Sequence, residues 1–423
     1  MNTNSNRPSL LRGPRGLRGR RRGAAFLAAA SILLVAGCGS GDDEASGDSP
    51  SDSPSDSASP SDSASPSDGA SPSDTTTGAA GSGVTGTPNA LLQPQESVFS
   101  VLSPWNTLAT GRGIHPRSVG LLKSAKIKVG VDLNGKPARE VVEEGVYINT
   151  RAWTGPVVAD GEPTVVTCRQ IQCGDGSEDI VLTIPDDIDP DPRYDGWYTV
   201  FDTDNQKAYD LWRARREDDG SISYQFMRQW DLNGPGFQKP YVVSARGSGL
   251  PLFGGLIRAG ELERGEINHA LAISLPGAAQ GSFIQPASST DGNGPANSLP
   301  EGARIFLKPD FKITRPVDYD TGRPYKMTPS QYKYAHYLVE TLKTYGAIVV
   351  DRAAVPTLYF ERVEDTDRNP VLRGYELNSI GLDDFNVVKF DAGDRIPYPA
   401  ADVVVDSTDL ESQAPVLTEG ATR

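Results

Sequence analysis

The chain has 423 residues, 37% of them hydrophobic, with 55 acidic against 41 basic side chains and a formal net charge of -14. Such a surface repels phosphate backbones, so a nucleic-acid role, which needs a basic footprint, is disfavoured, as is wide contact with anionic lipid. Three cysteines and three histidines in all leave a structural zinc site without a second ligand pair, and no metal of that kind is expected.

In chain order, seven arginines (Arg7, Arg12, Arg15, Arg18, Arg20, Arg21, Arg22) precede an apolar run over residues 24–36 that is too short to span a bilayer. It ends in Leu34-Val35-Ala36-Gly37-Cys38, which resembles a bacterial lipoprotein cleavage box. The resemblance implies that residues 1–37 are a signal peptide, that the Cys38 sulfur takes a diacylglycerol, and that the new amino terminus is often acylated as well. Two or more acyl chains give stable anchoring where one binds only reversibly. The expected location is therefore the cell membrane, lipid-anchored and facing outward. Gly23, Ala24 and Ala25 separate Arg22 from Phe26, which leaves both the general and the twin-arginine export routes open. Removing the seven leader arginines leaves 34 basic against 55 acidic residues, a net charge of about -21.

Residues 38–90 repeat Ser-Pro-Ser-Asp and hold almost nothing that could bury a core. They read as a disordered tether, with a reach on the order of 40 Å that proline and aspartate repulsion extend. Residues 91–405 form the globular body, one large or two closely packed domains, and 406–423 a polar tail. The body reads as mainly β, an antiparallel sandwich or jelly-roll-like architecture with one or two packed helices. Residues 196–201, 208–213 and 223–232, separated by Asp-, Asn- and Gly-rich turns, read as a meander. Further strands are expected at 125–131, 165–168, 180–184, 267–275, 304–307, 347–351 and 357–363. A helix is marked by Thr328 with Gln331 as a capping box, Pro329 at its first position and Gly346 after its last turn; Tyr332, Ala335, Val339 and Leu342 share its apolar face. A shorter helical turn is expected at 259–264. The polar stretch 285–302 reads as a lid or binding loop, or else as a mobile excursion.

With Cys38 taken by lipid, Cys168 and Cys173 become a matched pair, and outside the cytoplasm a disulfide is expected. Ser103-Pro104-Trp105-Asn106, Ser248-Gly249-Leu250-Pro251, Asn268-His269-Ala270-Leu271 and the run from Tyr345 to Asp351 together resemble an uncharacterised group of secreted bacterial proteins. The likeness covers most of the body and implies no reaction. Members of that group carry an aromatic and a histidine near residues 285–288, where this chain has Gln285-Pro286-Ala287-Ser288.

Cleaving a glycosidic bond needs two carboxyl groups across it. Asp231 and Glu266 are the candidates, with His269 either a general acid or base at a cleft mouth or a satisfied core histidine. Arg246 is a candidate anion contact, or the partner of a structural acid. Trp105 and Trp230 offer faces on which a sugar ring stacks, as do Trp153, Trp197 and Trp212. Ser248 lacks the flanking glycines of a nucleophile elbow. Asp187, Asp189 and Asp191 place oxygens at alternate positions and could hold calcium, although the glycine and closing glutamate of a helix-loop-helix site are missing; no other cofactor is expected. The expected function is a cell-surface lipoprotein that binds or cleaves an extracellular glycan, as a glycoside hydrolase or polysaccharide lyase. The alternative is a non-catalytic surface ligand-binding or structural envelope lipoprotein.

Overall fold

Strands Leu271–Leu275 and Ala347–Arg352 are apolar at nearly every position, a pattern that suits a sheet covered on both faces. In the computed structural model, which describes residues 98–131, 135–170, 172–176, 178–318, 321–363 and 371–399, they pair in parallel at the centre of a six-stranded sheet. The leader, Cys38, the 38–90 tether and the 406–423 tail lie outside the described residues. Arg304–Leu307 pairs antiparallel beside Ala347–Arg352 and carries Phe385–Val387 at the edge. Thr357–Tyr359 pairs antiparallel on the other side of Leu271–Leu275 and carries Tyr147–Asn149, in parallel, at the far edge. The protein is mainly β, with antiparallel-rich sheets, yet its central sheet is mixed. The parallel pairs arise because long connections carry the chain across the sheet before it returns.

Side chains alternate across this sheet and divide two cores. Leu271, Ile273, Ala347 and Val349 face one of them, where the helices pack. Ala272, Ile348 and Val350 face the other, together with Phe201, Ala208 and Trp230 from a four-stranded meander sheet. That second sheet runs Phe226–Asp231, Lys207–Trp212, Tyr198–Asp202, Val157–Val158. Its reverse face, with Tyr198, Val200, Leu211 and Met227, packs on Val166, Leu182, Ile184 and Tyr224 of a third sheet. The expected meander is present, with one change: the run 223–232 is not a single strand. Ile222–Tyr224 pairs in parallel with Glu162–Cys168 of the third sheet, while Phe226–Asp231 pairs with Lys207–Trp212. The chain passes between layers at Gln225.

Cys168 and Cys173 form a disulfide with Cα atoms 6.1 Å apart. The Cys173 carbonyl accepts from the Met227 amide at 2.9 Å, so the crosslink fastens the third sheet to the meander. Among the described residues there are three α-helices, α1 (Ser118–Ala125), α2 (Ala259–Arg264) and α3 (Pro329–Thr344). The α3 capping box is complete: the Gln331 amide donates to Thr328 Oγ1 at 3.2 Å and the Thr328 amide to Gln331 Oε1 at 2.9 Å. Ala335, Leu338, Val339 and Leu342 are buried as the periodicity requires, but Tyr332 is 51% exposed and meets His336, one turn along, edge to face. Little in the sequence marks α1, which is short and interrupted by Gly120.

Residues 285–302 form a strap packed down on the body. Ser288, Ser289, Ser298, Leu299 and Glu301 are buried, and the segment is stitched down by backbone bonds from Ala279 to Leu299, Ile284 to Glu301 and Gly302 to Val349, all 2.8 to 3.0 Å. Its polar composition serves these bonds, since a buried strap must satisfy its own polar groups.

Candidate functional site

The acid and base candidates are not brought together. His269 lies before the strand that was expected to hold it and is buried. Its Nε2 lies 3.2 Å from Glu261 Oε1, and its Nδ1 lies 3.0 Å from the Ala270 carbonyl. Both ring nitrogens are thus occupied by oxygen partners, which corresponds to a satisfied core histidine. Burial pushes the Glu261 carboxyl up, but His269 and Arg258 beside it hold it below the ordinary carboxylate value. Asp231 is exposed, with its carboxylate accepting from the Asn233 amide in a turn, and Glu266 is exposed beyond the end of α2. A depression lined by Trp105, Asn106, Gly254, Arg258 and His269 has a volume of about 10 Å³, which is room for a single water.

The three expected ligand contacts are interior. Arg246 is 2% exposed, Trp105 2% and Trp230 3%. Arg246 donates to the carbonyls of Pro251, Leu252 and Gly254 at 3.0 to 3.4 Å. Trp105 Nε1 donates to the Gly236 carbonyl, and Trp230 Nε1 to the Asp210 carboxylate. Indole and guanidinium faces that fill a core offer nothing for a sugar ring to stack on. Asp187, Asp189 and Asp191 do not converge on a common point. Asp187 is exposed, Asp189 pairs with Arg216 at 2.5 Å, and Asp191 caps a 3-10 turn while binding Arg193 through both carboxylate oxygens.

Two other constellations come forward. The first is an aromatic patch at the surface. Trp153 and Tyr194, both half-buried, meet edge to face with ring centroids 5.2 Å apart. The Arg193 guanidinium lies 5.4 Å over the Tyr194 ring. Next to it the Asp195 carbonyl accepts from the Arg213 amide at 2.8 Å, and the Arg213 guanidinium stands 4.5 Å over the half-buried Trp212, which packs against the core between the meander and the central sheet. Trp153, Asp195 and Arg213 have φ of 49°, 65° and 53°. Left-handed backbone of this kind costs non-glycine residues on the order of 1 kcal/mol or more each, and it persists where the surroundings enforce it. Trp153 stands out in the sequence as an aromatic; its meeting with Tyr194 is tertiary.

The second constellation is a trio of carboxylates that sequence reading missed. Asp291, Glu301 and Asp351 each place an oxygen within 4.8 Å of the others. Two of them come from the packed strap 285–302, and Asp351 comes from the end of strand Ala347–Arg352. The register between that strand and Leu271–Leu275 shifts there, so that Val349 pairs with Ile273 and Asp351 with Ser274; a bulge of this kind re-aims a side chain. Asp291 Oδ2 accepts from Arg352 Nε at 2.7 Å. Burial first, and then the neighbouring Asp291, raise the Asp351 carboxyl to about 8, and the same causes hold Glu301 well above its ordinary value. A signal was available in the sequence: a carboxylate directly after the buried run Ile348-Val349-Val350, and two more, Asp291 and Glu301, in a strap made mostly of small residues.

Comparison with models of known families, with curated proteins and with solved structures yields no match to this chain.

Proposed function

We propose that this protein is a cell-surface lipoprotein that holds a neutral extracellular glycan on the Trp153–Tyr194 pair without cleaving it. The observation that carries the reading is the half-exposed edge-to-face pair of Trp153 and Tyr194, supported on left-handed backbone at Trp153 and Asp195. Aromatic faces bind the apolar faces of sugar rings, and a backbone that maintains strain to present them is preorganised for contact. Asp191, the carboxylate bound to Arg193 at the patch, has both oxygens engaged, so that group supplies no free acid for hydrolysis. The body, residues 91–405, carries 42 acidic against 33 basic side chains, and this excess of negative charge repels uronates and other anionic polymers, which favours a neutral chain.

Purified protein is expected to be retained by at least one insoluble neutral polysaccharide, with the sugar recovered at unchanged mass. Trp153→Ala should weaken retention roughly tenfold, since the loss of one stacking face is worth about 1 to 1.5 kcal/mol. Equal retention of that variant would remove the patch from the reading, and shortened or unsaturated products would replace binding with cleavage.

The address rests on Leu34 to Cys38 and the aspartate-rich tether. Labelled palmitate should enter the wild-type protein, while Cys38→Ala should take up no label and leave the membrane fraction. A Cys38→Ala protein that stays with the membrane would overturn the lipid anchor.

A further inference from the structure

We propose that Asp291, Glu301 and Asp351 form a binding site for a hard divalent cation, with calcium the best fit. Glu301 is fully buried, and neither of its carboxylate oxygens has a hydrogen-bond partner among the described residues. Asp291 adds a third such atom: Oδ2 is taken by Arg352, while Oδ1 is buried without a donor. Carboxylate oxygens removed from water and left without donors are costly, and they require a positive charge or a proton among them.

The spacing selects the ion. Calcium binds oxygens at about 2.3 to 2.6 Å, so two ligands on opposite sides of it stand about 4.6 to 5.2 Å apart. All three carboxylates bring oxygens within 4.8 Å of one another, a separation that opposite ligands of one calcium span. Magnesium, at about 2.0 to 2.1 Å, takes opposite ligands only about 4.0 to 4.2 Å apart in a near-ideal octahedron, whereas calcium accepts an irregular set of carboxylates. An all-oxygen set disfavours zinc and copper, which prefer nitrogen or sulfur. The chain also makes room for the inward carboxylate: a Cβ at Gly247 would stand 2.3 Å from Asp291 Oδ1, so a side chain there would push Asp291 out of the site.

The ligands come from two parts of the chain. Asp291 and Glu301 belong to the strap, and Asp351 to the central sheet, so a bound ion would clamp one to the other. This site is separate from the aromatic patch, and neither assignment depends on the other.

The test is calorimetric titration of the intact protein with calcium chloride alone and with magnesium chloride alone, together with thermal unfolding in each. One calcium per chain is expected, bound more tightly than magnesium. At calcium one hundred times its Kd, Tm should rise by roughly 5 °C. Glu301→Gln should abolish that rise, and Asp351→Asn provides a second variant if the first fails to fold; Asp187→Asn should retain it in full. Terbium luminescence excited through the aromatic residues and displaced by calcium reads the wild-type site without any variant. The proposal fails if wild-type protein shows neither heat nor a Tm rise in about 5 mM calcium, or if Glu301→Gln and Asp351→Asn both keep the full rise.

Discussion

Replacing Arg246 with methionine is expected to destabilise the fold by about 3 to 5 kcal/mol, the range for removing one partner from a buried charge network. The side chain is interior at 2% exposure, and its two terminal nitrogens hold the carbonyls of Pro251, Leu252 and Gly254. The guanidinium carbon sits 5.5 Å from the Trp197 ring centre and 5.0 Å from that of Tyr359. It also supplies positive charge to two buried acids, Asp210 and Asp351. Asp210 is fully buried and accepts from Thr199 Oγ1 at 2.6 Å, Trp230 Nε1 at 2.8 Å and the Leu252 amide at 2.7 Å. Burial raises its carboxyl to about 6 in spite of those donors and of Arg246. Methionine fills much of the volume but leaves three carbonyls without donors and the buried Asp210 carboxyl without its positive neighbour. Arg246→Lys should recover only part of the loss, because a point charge cannot reproduce the planar fork. Urea unfolding should show a lower midpoint at unchanged slope. A loss under about 1 kcal/mol would mean that water replaces the guanidinium, and that this part of the core is wetter than its packing suggests.

The same network shows where sequence reading succeeded and where it stopped. Local rules were enough for α3, because Thr328, Pro329 and Gln331 satisfy helix-end amides within a single turn. They were enough for strand Ile180–Ile184 and for the turns of the meander, where Asp, Asn and Gly bracket alternating runs. They failed where two sheets exchange the chain, since nothing in residues 223–232 marks Gln225 as the crossing point. Site residues were harder for a related reason. Trp105, Trp230 and Arg246 are chemically suited to ligands and equally suited to a core, and only the packing of the meander on the central sheet buries them. Asp291, Glu301 and Asp351 lie up to 60 residues apart, and their encounter depends on a strap whose composition suggested surface. His269 is legible as a candidate core residue, but its partner Glu261 sits eight positions upstream in a helix of its own.

Glu361 provides the second large effect, and it is one of pH. The side chain is 1% exposed, on the segment that follows Thr357–Tyr359, with its backbone amide bonded to the Ile257 carbonyl at 2.9 Å. Burial raises its carboxyl from 4.5 to about 8; Arg258 opposes the rise and Glu261 adds to it. The folded chain therefore holds a proton between these values that the unfolded chain releases. The resulting stability is fully present below about pH 4.5 and is lost as pH rises through about 8. Glutamine keeps the neutral shape of the protonated acid at every pH. Glu361→Gln should match the wild type near pH 4 and exceed it by about 3 to 5 kcal/mol near pH 9, since each tenfold change in proton affinity is worth about 1.4 kcal/mol. Urea unfolding of both proteins at several pH values reads the difference directly. A difference that does not grow with pH would mean that Glu361 is ionised in the folded state, with Arg258 as its counter-charge. Growth of the expected size would instead make the Arg258–Glu261–His269 group a buried polar network with a neutral acid at its side. That is a structural use of His269, because a base held between a carboxylate and a carbonyl beside a protonated acid has no free nitrogen for a substrate.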